Sequence, residues 1–158
     1  MHVYKVGVDP KRRPLVLLAD AEEKRLLPIW IGPFEAHALS IHLQGKGFPR
    51  PLTHDLFLNT LEALGQRLAA VEITHLADHT FYALLVLEGP AGRQAIDARP
   101  SDALALAVRA GAPIAVAESV LEQAQVLTDA GEEEEVNQLR ELLRGLEDPE
   151  APEFTEPE

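Results

Sequence analysis

The chain carries, at Asp97-Ala98-Arg99-Pro100-Ser101-Asp102, a charged stretch that opens directly into an apolar run ending at Ala110. Ser101 is a favourable N-cap residue, because its hydroxyl can accept a hydrogen bond from a backbone N–H of the first helical turn. Gly111 and Pro113 are typical of residues that follow the end of a helix. These signals predict a helix that begins after Ser101 and ends at Ala110.

This predicted helix is apolar nearly all round, since Arg109 is the only polar residue within 103–110. A helix of that kind is usually buried. Its entrance nevertheless carries the carboxylates of Asp97 and Asp102 and the guanidinium of Arg99. Charges beside a buried element must be paired, coordinated or used in chemistry, because leaving them desolvated is costly. The stretch is therefore both the centre of the predicted core and the first candidate site.

Two other predicted helices begin in a similar way. Gly32-Pro33-Phe34-Glu35 opens one of them with proline at its preferred position, and Thr53 is the predicted cap of a second helix that ends at Gly65. All three helices carry a carboxylate in the first turn, where the helix dipole favours negative charge. These carboxylates belong to Glu35, Asp55 and Asp102.

Short strands alternate irregularly with these helices. The predicted strands are His2–Val8, Pro14–Ala19, Arg25–Ile31, Leu68–Leu76, Phe81–Glu88, Gln94–Ala98 and Pro113–Ala117, and a short helix follows at Ser119–Ala124. Several neighbouring strands are separated only by turn residues, which predicts antiparallel hairpins. We therefore predict an α+β fold, with a single domain built on a mixed, mostly antiparallel sheet with packed helices, plus a C-terminal amphipathic helix.

Charge divides the 158-residue chain into a body and a tail. From Asp129 onward there are 12 acidic and 2 basic residues, whereas the remainder holds 14 acidic and 12 basic residues. Because the body is nearly neutral, net charge neither supports nor excludes a nucleic-acid partner. We predict a domain over 1–127, an acidic amphipathic helix over 128–147 and a disordered Pro/Glu-rich tail over 148–158.

The absence of cysteine excludes disulfides, thiolate nucleophiles and cysteine metal sites. The first residues lack the apolar region of a signal peptide, and no apolar run reaches membrane-spanning length. We therefore expect a cytoplasmic protein with no membrane partner. The chain has no Gly-rich phosphate loop, zinc signature or serine nucleophile elbow, so no organic cofactor is expected.

The three helix starts, if they converge, have the residue types of a site that hydrolyses phosphodiester bonds. The predicted ligands of Mg²⁺ or Mn²⁺, which prefer oxygen donors, are Glu35, Asp55, Asp97 and Asp102. The predicted phosphate-binding residues are Arg50 and Arg99, and the predicted catalytic residues are Asp97, Asp102 and the general base His54. The same residues also fit a structural salt-bridge network, and their spacing does not decide between these interpretations.

Four segments together resemble the bifunctional nuclease domain family, formerly catalogued as a domain of unknown function. They stand in the order and spacing of the family pattern over about residues 1–126, at Leu27–Ala36, Arg50–Leu56, Phe81–Ala83 and Ile96–Ala107. The resemblance implies a single-domain protein that cleaves DNA and RNA. It also marks family-pattern positions, without assigning their roles, at Glu35, His54, Asp55, Asp97, Arg99, Ser101 and Asp102.

Three functions from different classes follow from these observations. The first is a metal-dependent nuclease acting on DNA and RNA. The alternative is a non-enzymatic regulatory or adaptor module that self-associates, with a homodimer as the favoured homo-oligomer, and that binds a protein partner through the apolar stripe from Val136 to Leu146. The third is a small-ligand pocket for a phosphorylated metabolite, lined by Trp30, Phe34 and Arg99.

Overall fold

The first three strands form an antiparallel meander, as the sequence predicts. In the computed structural model, which describes residues 1–127, these strands are β1 (His2–Val8), β2 (Pro14–Ala19) and β3 (Arg25–Trp30). The central strand β2 is buried along almost its whole length, which accounts for its unbroken apolar sequence. A two-residue strand at Val126–Leu127, absent from the predicted set, pairs antiparallel with β3 and completes a four-stranded sheet.

A second four-stranded sheet is built around a long hairpin. It contains β4 (Arg67–Ala77), β5 (Thr80–Gly89), β6 (Gly92–Ala98) and β7 (Ile114–Val116), in the spatial order β6-β5-β4-β7. We label the Val126–Leu127 strand of the first sheet β8. The β4–β5 turn places Asp78 and His79 at positive φ, the backbone of the tight hairpin turns that match strand twist. Among the described strands, only β7 runs parallel to its neighbour, β4.

Within residues 1–127, four helices accompany the sheets. They are α1 (Pro33–Leu43), α2 (Thr53–Ala63), α3 (Pro100–Ala110) and α4 (Glu118–Ala124). Helix α1 contacts β1 and β2 of the first sheet, and α3 contacts β4 and β5 of the second. Because α1 also contacts α3, this helix pair joins the two sheets around one hydrophobic core. The predicted α+β single-domain class is confirmed, with the strands divided between two sheets where we expected one.

Helix α3 is buried along its apolar length, as predicted, with Ala103–Ala107 all in the core. Its start differs from the prediction. The N-cap is Arg99, the first helical residue is Pro100, and Ser101 lies buried inside the first turn. The helix has no side-chain cap, so the proposed capping role of Ser101 is wrong. Gly111 ends the helix at a positive φ of 64°, as its position in the sequence suggests.

Arg109, near the end of α3, connects three helices. Its Nε donates to Asp55 Oδ1 on α2 at 3.0 Å, and its Nη2 donates to the Ala38 carbonyl on α1 at 2.8 Å. Nη1 donates to the Ala105 carbonyl within α3 at 2.9 Å. The Arg109 side chain is only 4% exposed, so these partners replace the water that its charge would otherwise bind.

A compact polar cluster closes the turn between β1 and β2. The buried Asp9 carboxylate accepts hydrogen bonds from the backbone N–H groups of Lys11 and Arg13, from Arg13 Nε and from the Trp30 indole. Burial raises the pKa of Asp9, but these hydrogen bonds and the Arg13 charge outweigh it and lower the pKa to about 2. The cluster fixes Trp30 at the end of β3.

The predicted acidic helix over 128–147 and the predicted disordered tail over 148–158 lie outside the described residues. Among the helices that are described, none combines the length and apolar character needed to span a membrane.

We expect Arg109→Leu to lower the free energy of unfolding by roughly 1.5–3 kcal/mol, because it removes the hydrogen bonds that the nearly buried guanidinium donates to the Asp55 carboxylate and to two helix carbonyls. Urea unfolding followed by circular dichroism measures this. Arg93→Leu is the control, because Arg93 is an exposed residue paired with Glu72 at 3.6 Å. Its expected change is at most about 1 kcal/mol. Equal losses in the two variants would contradict the connecting role of Arg109.

We expect Asp9→Asn to reduce stability at neutral pH by roughly 1–3 kcal/mol, since the charge-assisted hydrogen bonds are lost. The folded-state pKa lies below the ordinary value of 3.8, so the contribution is present above about pH 4 and disappears as pH falls toward 2. Urea unfolding at a series of pH values should therefore show the gap between variant and wild type closing in this range. A gap that stays constant down to pH 2 would refute the prediction. Glu22→Gln, at an exposed ion pair, is the control.

Candidate functional site

Arg99 joins the starts of α1 and α3. Its Nη1 donates to Glu35 Oε1 in the first turn of α1 at 3.0 Å, and its Nε and Nη2 both contact Asp102 Oδ2 in the first turn of α3 at 2.8 Å. The Asp102 carboxylate first, and then Glu35, raise the pKa of Arg99, which therefore stays cationic. The Arg99 side chain remains 65% exposed, so this junction is open to solvent.

His54 brings the start of α2 to the same junction. Its Nε2 lies 3.2 Å from Asp102 Oδ1, the oxygen that Arg99 does not contact. If Nε2 carries the proton and donates to this carboxylate, Nδ1 retains its lone pair and has no hydrogen-bond partner within residues 1–127. The imidazole is half-buried, with 17% of the side chain exposed. Glu35, Arg99, Asp102 and His54 thus form one connected row, which we name the helix-start cluster.

Glycine at position 32 lets the Glu35 side chain fold back over the backbone. A Cβ atom built on Gly32 would lie 2.1 Å from Glu35 Oε2, far inside van der Waals contact. The sequence Gly32-Pro33 therefore does two things, since proline starts α1 and glycine leaves room for the carboxylate that reaches Arg99.

Two cavities meet at the helix-start cluster. The larger, of about 530 Å³, lies between α1 and the start of α2, and its lining includes Phe34, Phe48, His54 and Asp102. The smaller, of about 330 Å³, lies beside the end of β3 and the β4–β5 turn, and its lining includes Trp30 and Phe81. Glu35 and Arg99 line both cavities. A ligand bound in either cavity therefore has access to the same guanidinium.

Asp55 lies next to His54 in the sequence but is engaged differently. Its Oδ1 accepts from Arg109, and its Oδ2 accepts from the backbone N–H of Leu52, the N-cap of α2. Burial raises the pKa of Asp55, but these two hydrogen bonds and the Arg109 charge lower it overall. The carboxylate thus begins the helix and pairs with Arg109, in keeping with the structural interpretation left open above. Thr53, the predicted cap of α2, is its first helical residue instead.

Two predicted site residues lie apart from the helix-start cluster. Asp97 is exposed on β6, where it is paired in register with Leu84 of β5, and Arg50 is exposed in the loop between α1 and α2. Neither side chain makes a hydrogen bond or ion pair with another residue of the described range. Their predicted catalytic and phosphate-binding roles stay predictions.

The sequence predicts only part of the aromatic side of the small cavity. The sequence predicts Trp30 as a pocket residue but not its hydrogen bond to Asp9, since Asp9-Pro10 is typical of an ordinary turn. Phe81 and His79 also line this cavity, which the sequence does not predict. Their position at a predicted hairpin turn is the one indication that the sequence offers. It does not indicate which helix start this turn approaches.

Comparison with known proteins agrees with the resemblance noted in the sequence. The model of the bifunctional nuclease domain matches residues 16–129. The uncharacterised proteins MT1877 and Rv1829, from two strains of Mycobacterium tuberculosis, are each 45% identical over 153 residues, which is 89% of this chain and 92% of each relative. The chain therefore belongs to the bifunctional nuclease domain family.

Proposed function

We propose that this chain hydrolyses phosphodiester bonds of DNA and RNA at the helix-start cluster. The observation that carries the proposal is the contact between His54 and Asp102 beside an exposed arginine, at the junction of two cavities. A base, a carboxylate that orients it and a cation for the phosphate are the groups that phosphodiester hydrolysis needs. The family name is consistent with this chemistry.

His54 is proposed to act as the general base. With Nε2–H donated to Asp102, Nδ1 takes the proton of a water molecule whose oxygen attacks phosphorus, and Asp102 stabilises the imidazolium that forms. As the new P–O bond forms, the P–O bond to the leaving sugar oxygen breaks, and that oxygen keeps the electron pair and takes a proton from solvent water. Arg99 is proposed to bind the phosphate. Its two hydrogen bonds, to Glu35 and Asp102, use two of five N–H donors, which leaves three for phosphate oxygens. Negative charge that builds on those oxygens during attack strengthens this interaction.

The described residues do not fit the predicted four-carboxylate metal site. A divalent cation needs several oxygen ligands, but Glu35 and Asp102 are already paired with Arg99, and Asp55 is paired with Arg109. Within residues 1–127 no group of three or more histidine, aspartate and glutamate side chains is arranged to hold a metal ion. The proposed steps therefore do not pass through Mg²⁺ or Mn²⁺, and assays with and without these ions test the metal prediction separately.

We expect His54→Ala to lower kcat for cleavage of a single-stranded oligonucleotide by roughly 10²- to 10⁴-fold, the usual contribution of a general base. His75→Ala is the matched control, because this exposed histidine stacks on Tyr82 away from both cavities. The measurement is product formation by purified protein on labelled DNA and RNA. Equal cleavage by wild type and both variants would indicate a contaminating nuclease and refute the proposal.

We expect Arg99→Gln to lower kcat/KM by roughly 10²- to 10³-fold, because it removes the charge that faces the phosphate. Circular dichroism confirms that the variant folds. Asp97→Asn, assayed alongside, tests the catalytic role predicted from the sequence. Loss of cleavage in Asp97→Asn with full activity in Arg99→Gln would move the site away from the helix-start cluster.

The exposed face of α2 supports a second candidate, self-association. No residue of this helix is buried, and Leu56 and Phe57 are exposed together with Leu64 just beyond its end. The spacing of seven and eight residues places these side chains on one side of the helix. Exposed apolar patches of this kind mark interaction surfaces. We propose that this face pairs two copies of the chain. Phe57→Lys should then yield a monomer in analytical ultracentrifugation, and an unchanged mass would refute the pairing.

A further inference from the structure

The smaller cavity, which we name the Trp30 cavity, has an aromatic side and a cationic side. Trp30 and Phe81 contribute the aromatic side, while Arg99 and Ser101 lie at the start of α3. Its volume of about 330 Å³ is at the lower end of the range for small-ligand sites. A site of that size and composition suits one flat, uncharged ring system attached to an anion.

The Trp30 ring is held in place although it is 46% exposed. Its Nε1 donates to Asp9 Oδ2 at 3.1 Å, and the Arg13 guanidinium carbon lies 5.3 Å from the ring centroid. Asp9 is in turn fixed by the Arg13 backbone and side chain. An aromatic surface that is oriented before a ligand arrives loses little entropy when a second ring stacks on it.

The opposite side of the cavity is prepared for an anion. Arg99 has three N–H donors beyond its two hydrogen bonds, and α3 begins without a side-chain cap. The backbone N–H groups of Ser101 and Asp102 have no partner within the described part of the chain. The Ser101 hydroxyl also makes no hydrogen bond there. Backbone N–H groups at a helix start, together with a guanidinium, are a favourable arrangement for phosphate.

We infer that the Trp30 cavity binds one unpaired nucleotide, with its base stacked on Trp30 and its phosphate at Arg99. This inference rests on the proposed function and names its substrate class, which is single-stranded nucleic acid. A base within a duplex is stacked on both faces and is not free to enter. Because Glu35 and Arg99 line both cavities, a phosphate held at Arg99 lies between the stacked base and the cavity that His54 lines. Stacking on an indole tolerates any base, so little sequence preference is expected.

Fluorescence titration tests the inference, since Trp30 is the only tryptophan of the chain. The probes are AMP, which has a base and a phosphate but no phosphodiester bond, and ribose 5-phosphate, which lacks the base. AMP should quench the indole emission, excited at the red edge where the base does not absorb, and should bind at least about 10-fold more tightly than ribose 5-phosphate by calorimetry. Equal affinities for the two probes, or no AMP binding, would overturn the inference.

Variants separate stacking from general effects on the fold. By calorimetry, Trp30→Ala should weaken AMP binding roughly 10- to 100-fold, while Trp30→Phe should retain most of it because an aromatic surface remains. Tyr82→Ala is the matched control, since this exposed aromatic residue lies on β5 outside both cavities. Wild-type affinity in a folded Trp30→Ala protein would refute the stacking role.

The nucleotide site and the nuclease proposal fail in different ways. AMP binding needs no hydrolysis, so His54→Ala should bind AMP as the wild type does while losing cleavage. AMP binding with no cleavage of any nucleic acid by the wild type would reject the nuclease and leave the nucleotide site. Cleavage that depends on His54, without AMP binding, would reject the nucleotide site and leave the nuclease proposal. Preferential cleavage of duplex over single-stranded DNA would contradict the inferred substrate class.

Discussion

The geometry of the site depends on the hydrogen bonds by which Arg109 joins three helices. Arg109 is buried at the end of α3, and its guanidinium is bonded to a carbonyl of α1 and to Asp55 at the start of α2. Removing a charge of this kind from water is favourable only when each donor finds a partner. The three helices must therefore keep one mutual arrangement to satisfy it. That arrangement sets where His54, the neighbour of Asp55, meets Asp102.

Arg99, the N-cap of α3, and Arg109, near its end, have different roles. Arg99 stands at the exposed start of the helix and keeps donors free, whereas Arg109 is buried near its end with its partners in place. Both pair with carboxylates from the first turns of helices, which the helix dipole already stabilises there. A single apolar helix between them, packed on β4 and β5, holds the exposed arginine at a fixed place relative to the buried one. The position of the exposed Arg99 thus depends on the nearly buried side chain of Arg109.

Local signals in the sequence predict most of the helices and strands. The features that they do not predict depend mainly on pairing between segments far apart in the chain. Pro33 and Gly111 correctly locate helix boundaries, and the apolar runs identify seven of the eight strands. The division into two sheets depends on β8 joining β3 and β7 joining β4, which no local pattern encodes. At the site, the first-turn positions predict Glu35 and Asp102, and the structure brings both carboxylates to Arg99. First-turn positions do not show that His54 contacts Asp102 whereas Asp55 pairs with Arg109. Adjacent helical residues point about 100° apart, so the partner of each one depends on how the neighbouring helices pack.

The late position of two strands also affects how the chain is made. Both sheets are completed near the end of the described chain, where Ile114 pairs with Val71 and Leu127 pairs with Arg25. During synthesis, β3 and β4 therefore leave the ribosome long before their last neighbours exist. Until then each is an open sheet edge, and open edges recruit other extended chains. The β4 edge therefore stays uncovered until β7 is made, and the β3 edge until β8 is made, so these late strands cover edges that are open to pairing with other chains until then.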